Sequence, residues 1–430
     1  MTYTEAVSYL YDHLPMYQRI GVKAIKKGLD NIILLCEHLG NPHHQFKSIH
    51  VAGTNGKGSS SHMIAAILQS EGYKTGLYTS PHLKELTERI RVNGSEIPPQ
   101  VVADWITQYQ NLIEEIQPSF FELMVALAFD YFAQQKIDIV VIEVGLGGRL
   151  DSTNIIQPMA SLITTIGYDH QDMLGETLPE IALEKAGIIK RDTPVVISYT
   201  QREVEHVFMQ QAKMNQSSIV FADQLLELKS PRMEDSYLTV DVLENGILWL
   251  PVLQSGLVAY YQLKNIPGVL AITKELNRQG IIVSDQSIRE GIQYVTMLTG
   301  LKGRWQVIHK KPTIICDTGH NEDGIREVLK QLSYIYYRNL IFILGFVKDK
   351  KVEKILSLLP SQATYFFCQA HIPRAMEAKK VQHIAESLGI QGKIILDVNE
   401  AITEAKKEAH PDDLIVVGGS TFVVAEVNQL

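Results

Sequence analysis

The chain has 430 residues, 45% apolar and 20% charged, with 48 acidic against 40 basic side chains and a formal net charge of −8. That balance is ordinary for a globular protein with a large core, and the length favours two or three domains. The negative charge argues against a nucleic-acid surface, and no run is long and apolar enough to span a bilayer, so bound anions must be held by local arrangements. Cys36, Cys316 and Cys368 are scattered in apolar runs without metal spacing and read as buried hydrophobes of a reducing compartment. No basic start followed by an apolar stretch opens the chain, so a cytoplasmic enzyme is expected.

The first predicted element is a polar-faced helix around Tyr9–Leu14. Ile49 and Val51 then read as a short strand, and Met63, Ile64, Ile67 and Leu68 share one face of a following helix. Between them runs Gly53-Thr54-Asn55-Gly56-Lys57-Gly58-Ser59-Ser60. Glycines between a strand and a helix let backbone N–H groups turn onto phosphate oxygens at the helix N-terminus, and Lys57 adds a full positive charge. The usual nucleotide loop G-x-x-x-x-G-K-[ST] is departed from twice. Val51 stands at the first glycine, and Gly58 stands at the hydroxyl position, so hydroxyls arrive only with Ser59 and Ser60.

Strand-like runs follow at Thr75–Thr79, Ile139–Glu143, Ser161–Ile166 and Val195–Ser198, alternating with helical or loop segments as in a parallel sheet covered on both faces. Open sheets of this kind bind ligands beyond the C-terminal strand ends, and polar loops sit there. Ser80 follows the second strand, Glu143 ends the third ahead of Gly145-Leu146-Gly147-Gly148-Arg149-Leu150-Asp151, and Asp169-His170 follows the fourth. Taken singly, Ser80 reads as a turn or cap, Glu143 as an ion-pair partner and His170 as a loop histidine. Three such groups beside a phosphate loop read instead as a Mg²⁺ site facing nucleotide phosphates. Lys185 lies in a helical pattern, Ile181–Ile188, where a solvated surface lysine is the ordinary reading.

Phe208–Leu250 has a polar, strand-like character, notably at Ser236–Val240 and Ile247–Leu250, and predicts a small antiparallel addition to the first domain. After a helix over Gln286–Val295, the Thr/Gly/Lys stretch Leu298–Gly303 reads as a join, dividing the chain into domains 1–298 and 299–430. The second series of strands is Thr313–Cys316, Leu340–Leu344, Thr364–Cys368, Lys393–Leu396 and Leu414–Val417, with helices over Gly324–Leu332 and Val381–Leu388. Asp317 and His320 follow the first of these strands. Asp317 is placed to accept ribose hydroxyls and His320 to face substrate or nucleotide, while an Asx-type turn explains Asp317 or Asn321 without the rest of the cluster. Arg304 reads equally as a phosphate-closing guanidinium or a surface arginine. The Gly-rich turn Val417–Thr421 reads as structural or as a cradle for a small anion.

Together these segments resemble the folylpolyglutamate synthase/dihydrofolate synthase branch of the Mur ligase superfamily. The resemblance spans nearly the whole chain: Gln18-Arg19-Ile20-Gly21, Leu39–Pro42, Gly53–Ser59, Thr79–Leu83, Glu88–Gly94, Phe121-Glu122, Glu143–Asn154, Asp169-His170, Glu184–Ile188, Gly303-Arg304 and His320-Asn321. Its most specific parts are Glu143–Asp151 and Ser80–Leu83. The fold it implies is α/β, a P-loop Mur-ligase-like central domain with a parallel sheet followed by a smaller Rossmann-like C-terminal domain.

The implied activity is ATP-dependent addition of L-glutamate to a folate carboxylate through an acyl phosphate, from dihydropteroate, from reduced folates, or from both. ATP would lie on Gly53, Thr54, Asn55, Gly56, Lys57, Gly58 and Ser59, with Asn265, Arg304 and Asp317 completing its pocket. Mg²⁺ would be held by Ser80, Glu143 and His170, and Lys185 would match the family's carbamylated lysine. The pterin would sit near Phe121 and Leu150-Asp151-Ser152, with His320 and Ser420 attending glutamate or the acyl phosphate. A monomer without nucleic-acid or membrane partners is expected. The chain departs from the family pattern at Thr318-Gly319, where Gly-Ala is more common, at Ser119, where Thr is common, and at Gly418-Gly419-Ser420. A Mur-type ligase acting on a non-folate carboxylate is the second reading, and a non-catalytic nucleotide switch the third.

Overall fold

The apolar run Ile139–Glu143 forms a strand buried along its whole length, and its alternation assigns the two faces to different cores. Ile139 and Val141 join a cluster with the helices Lys57–Ser70, Ile266–Arg278 and Asp285–Gln293. Val140 and Ile142 join another with the helices Tyr3–His13, Asp30–His38, Pro99–Gln108 and Phe120–Gln134. Side chains alternate along a strand, so such a segment needs helices on both faces, the environment in which parallel strands occur. The computed structural model describes residues 1–16, 21–24 and 28–430. Gln18, Arg19 and Ile20 of the first resemblance segment lie outside them. Among the described residues no helix is long and apolar enough to cross a membrane.

The described residues form two compact units, the first chiefly Val22–Val258 and Gln262–Leu301 with the N-terminal helix. Its main sheet contains β1 (Lys47–Ala52), β2 (Thr75–Tyr78), β3 (Ile90–Val92), β4 (Ser95–Glu96), β5 (Ile139–Glu143), β6 (Ala160–Ile163), β7 (Val195–Ile197) and β8 (Ile219–Phe221). Their order is β4-β3-β2-β5-β1-β6-β7-β8, with β2, β3 and β4 paired antiparallel and the remaining pairs parallel. β6 ends at Ile163, short of the predicted Ser161–Ile166, because Thr164 and Thr165 turn their hydroxyls onto the Asn55 carbonyl, at 2.7 and 3.2 Å.

The predicted polar strands of Phe208–Leu250 need correction at their start. Glu205–Met214 is a helix that buries Phe208 and Ala212, one turn apart. Beyond it, β9 (Leu226–Glu234), β10 (Tyr237–Glu244) and β11 (Ile247–Ser255) form an antiparallel sheet ordered β11-β10-β9. Leu226, Val240, Val242, Leu250 and Leu253 turn inward to the core that contains the helix Ile266–Arg278.

The second unit is chiefly Ala259–Tyr261 and Lys302–Leu430. Its strands are β12 (Gln306–Lys310), β13 (Thr313–Cys316), β14 (Leu340–Leu344), β15 (Thr364–Phe367), β16 (Gly392–Ile394) and β17 (Leu414–Gly418). They run β12-β13-β17-β14-β15-β16, all parallel except the β12 edge. β16 begins one residue before the predicted Lys393–Leu396, at a glycine whose Cβ would lie 2.5 Å from the Phe367 ring. The helix Glu322–Leu332 starts from Asn321, whose side chain accepts the Gly324 N–H, and it buries Ile325, Val328 and Leu332 at helical spacing.

The helix behind the phosphate loop, Lys57–Ser70, is buried from Ser59 through Leu68. Room for it depends on Gly291, where a Cβ would lie 2.4 Å from the Ile67 Cα. Gly291→Ala is therefore expected to destabilise the first unit by about 1–3 kcal/mol, as overpacking of a close backbone contact does. An unchanged denaturant midpoint would show that the two helices separate freely.

Candidate active site

β1 lies between β5 and β6, with Val51 opposite Glu143 and Leu162, so the phosphate loop leaves the sheet at its centre. Two glycines allow the turn. A Cβ on Gly53 would lie 1.8 Å from the Thr164 hydroxyl oxygen, and one on Gly56 would lie 2.2 Å from Asn265 Oδ1. Gly56 takes φ +90° and caps the helix Lys57–Ser70 with no side-chain bond, so its first N–H groups are offered to a ligand. The loop is pinned from outside. Thr54 N–H donates to the Thr165 carbonyl at 2.7 Å, and Gly167 N–H donates to the Thr54 hydroxyl at 3.0 Å. Asn265 donates to Gln262 at 2.7 Å, and Gln262 donates to the Ser59 hydroxyl at 3.2 Å. Asn265 thus lies against the loop. Thr164, Thr165 and Gln262, which hold it, carried no signal beyond their proximity to a strand end or a helix start.

Lys57 Nζ donates back to the Gly53 and Thr54 carbonyls at 3.1 and 3.2 Å. Lys185 Nζ donates to the same Gly53 carbonyl at 2.9 Å. Lys185 is only 4% exposed, which corrects the surface reading that its residue pattern alone supported. Burial first, and then the charge of Lys57, lower its pKa from 10.5 to about 7, against a smaller opposing effect of Asp169 and Asp151.

The Gly-rich segment after β5 positions that lysine. A Cβ on Gly148 would lie 2.8 Å from the Glu184 carbonyl and 2.9 Å from that of Lys185, and a Cβ on Gly187 would lie 2.4 Å from the Arg149 Cα. Arg149 N–H donates to the Glu184 carbonyl at 2.8 Å, its guanidinium pairs with the Glu184 carboxylate at 2.8 Å, and Asn154 Nδ2 donates to the Gly187 carbonyl at 3.0 Å. Asp151 closes the segment on itself. Oδ2 accepts the Leu146 N–H at 2.8 Å, and Oδ1 accepts the Thr153 N–H at 3.0 Å and its hydroxyl at 2.5 Å. Burial raises the Asp151 pKa, and these bonds offset part of the rise. Leu150 is 44% exposed at the segment's surface, and Ser152 is buried.

Glu143 is buried at the end of β5 and accepts the Ser80 N–H at 3.2 Å, which joins two of the expected metal-side residues. His170 takes a left-handed backbone (φ +51°), and its Nε2 lies 3.8 Å from Asp169 Oδ2. Among the described residues no three His, Cys, Asp or Glu side chains converge on one metal position. The Ser80 hydroxyl and the Glu143 carboxylate are the oxygen donors that Mg²⁺ takes together with phosphate oxygens and water, whereas the His170 imidazole is a softer donor that lies beside Asp169. Phe121 packs onto the Gly145 backbone, where a Cβ would lie 2.4 Å from its ring, and stands 6.2 Å from the Tyr78 ring. Ser119 caps the helix that carries Phe121 through a capping box with Glu122, a role that either hydroxyl amino acid fills.

In the second unit Asp317 is buried, and it accepts the Tyr261 hydroxyl at 2.8 Å, the Trp305 N–H at 2.9 Å and the Gly319 N–H at 2.8 Å. Burial raises its pKa. Arg304 donates to the Thr318 hydroxyl, and His320 Nδ1 lies 3.0 Å from the Thr318 carbonyl. These bonds gather Arg304, Asp317 and His320 around the β13 exit. Ser420 is buried and caps the helix Thr421–Ala425 by accepting the Phe422 N–H at 3.1 Å.

A phosphate loop on a central parallel strand, a buried lysine beside it and a separate α/β unit define a ligase of the Mur class. The Mur ligase middle domain matches residues 51–271, and the Mur ligase glutamate ligase domain matches residues 303–421. The dihydrofolate synthase/folylpolyglutamate synthase of Bacillus subtilis is 30% identical over 99% of this chain and 98% of its own length. A probable bifunctional folylpolyglutamate synthase/dihydropteroate synthase of Haloferax volcanii is 31% identical, and there the chain spans 50% of the relative's length. The solved structure of E. coli FolC in complex with DHPP and ADP superposes with a TM-score of 0.86 at 27% identity, covering 99% of this chain and 96% of that one. The chain belongs to the dihydrofolate synthase/folylpolyglutamate synthase family of Mur ligases.

The shifted amine has a consequence for stability. Between about pH 7 and 10.5 the folded protein binds fewer protons at Lys185 than the unfolded chain, so stability rises with pH across that window and is lowest below it. The stability of wild type relative to Lys185→Met, from denaturant unfolding, should increase across this range. A difference that stays flat would mean that Lys185 remains charged when folded.

Proposed function

We propose that this chain joins the amine of L-glutamate to the carboxylate of dihydropteroate and of reduced folates, consuming ATP. The observation that carries this reading is the convergence of Lys57 and Lys185 on the Gly53 carbonyl at the end of the central strand. Lys57 neutralises the β- and γ-phosphates, while N–H groups from Gly56 to Ser59 cradle their oxygens. Ser80, Glu143 and His170 would hold Mg²⁺, which supplies charge neutralisation on the phosphates. The folate carboxylate attacks the γ-phosphorus and releases ADP, giving an acyl phosphate. The glutamate amine, having lost a proton, attacks the acyl carbon, and inorganic phosphate leaves with the C–O bond electrons. Positioning and electrostatics do most of this work.

In the same reading Phe121 and the Leu150–Ser152 surface receive the pterin, and Asp151 shapes that surface from within its own loop. Arg304 and Asp317 serve the nucleotide, and His320 and Ser420 serve the glutamate or acyl phosphate. Lys185 as a neutral amine takes up CO₂ to form a carbamate, with an N–C bond made and a proton released. Labelled bicarbonate should then give a carbamate carbon signal that Lys185→Met lacks. A fully active wild type without that signal would remove this step. The three cysteines are buried and free, as suits a reducing compartment such as the cytoplasm.

The test of function is phosphate release from ATP plus L-glutamate, with dihydropteroate and tetrahydrofolate offered separately. Turnover with both supports the dual reading, and turnover with tetrahydrofolate alone reduces it to polyglutamate extension. Activity with neither, but with a uridine-nucleotide-linked carboxylate, would establish the non-folate ligase instead.

A further inference from the structure

His50 lies in the middle of β1, with Ile49 and Val51 on either side turned into the core behind the phosphate loop. Its own ring points to the other face, is fully buried, and places Nε2 2.9 Å from the Thr153 hydroxyl oxygen. Thr153 has one hydroxyl proton, and it goes to Asp151 Oδ1, a carboxylate that also receives the N–H groups of Thr153 and Leu146. The Thr153 oxygen is therefore the acceptor and His50 Nε2–H the donor. The other nitrogen agrees. Nδ1 has no hydrogen-bond partner, and a bare lone pair there avoids an orphaned buried N–H. Burial and the nearby Lys190 charge lower the His50 pKa to about 3, so the ring is a neutral donor across the working pH range.

The chain of bonds runs from the strand that delivers the phosphate loop, through Thr153 and Asp151, to Leu146 in the Gly-rich segment. That segment grips the helix of Lys185 through Arg149 and Asn154, and Lys185 returns to Gly53. The circuit closes three residues beyond His50. We propose that His50 is a positioning residue for ligation, fixing the Gly145–Asn154 segment, and with it the folate-side surface and Lys185, relative to the phosphate loop. This rests on the proposed folate ligase reading. It assigns His50 no contact with substrate.

The test compares His50→Met, His50→Gln, Thr153→Val and the His50→Met/Thr153→Val double variant with wild type. Glutamine retains an N–H donor near the Nε2 position, and methionine fills similar space without one. Small displacements of reacting groups cost on the order of a hundredfold in rate. His50→Met should therefore lose on the order of a hundredfold in kcat/KM for the folate substrate while keeping its KM for ATP. His50→Gln should recover most of that loss, and the double variant should be no worse than His50→Met alone. Hydrogen exchange at the Leu146 and Thr153 amides should quicken in His50→Met and return towards wild type in His50→Gln. Wild-type kinetics in His50→Met, effects that multiply in the double variant, or unchanged exchange at both amides would overturn the proposal. If wild type itself does not turn over folates, the ligase reading fails, and the exchange rates still decide whether His50 holds the segment.

Discussion

Two lysine side chains donate to one backbone carbonyl, that of Gly53, and much of the first unit is arranged so that they can. Two ammonium groups that share one acceptor repel, and burial removes the water that would screen them. The repulsion is relieved on one side only. Lys57 stays half-exposed at the start of its helix, where phosphate can take up its charge, while Lys185 is enclosed and driven towards the neutral amine. The asymmetry suits the two tasks proposed above, a cation for phosphate and a nitrogen able to take up CO₂ beside it.

Holding that geometry requires glycine backbone to lie closer to neighbouring side chains and backbone than a Cβ permits. Gly53 against Thr164, Gly56 against Asn265, Gly148 against the Lys185 turn and Gly187 against Arg149 each leave no room for a Cβ. The glycines of the two loops thus have a steric reason beyond phosphate binding. The second unit handles its polar residues differently. Asp317 is tied to Tyr261, Trp305 and Gly319, so three of its roughly four acceptor positions are filled before any ligand arrives.

Much of this was legible in the residues. Buried parallel strands such as Ile139–Glu143 and Leu340–Leu344 are continuous apolar runs, and a run of that kind has few alternatives. The strand-to-helix turn at Gly53–Gly56 is equally readable, because strand, glycines, lysine and helix stand in fixed order. Local pattern failed where tertiary contacts decide. The stretch beginning at Phe208 reads as polar and extended, but packing of Phe208 and Ala212 makes Glu205–Met214 a helix. Lys185 looked solvated because nothing in its helix reveals the Gly-rich segment that covers it. His50 reads as one strand residue among several, since its partner Thr153 is 103 positions away in the chain. Capping by Asn321 is readable as an Asx-type turn, while the cap by Ser420 and the enclosure of Asp317 by Tyr261 are not.

If Lys57 and the loop around it bind nucleotide phosphates, equilibrium binding reads this out without relying on turnover. A non-hydrolysable ATP analogue would be titrated calorimetrically into wild type and Lys57→Ala. Loss of a close charge partner costs a few kcal/mol, so the variant should bind on the order of a hundredfold more weakly with its fold intact. Equal affinity in the two proteins would move the nucleotide away from this loop.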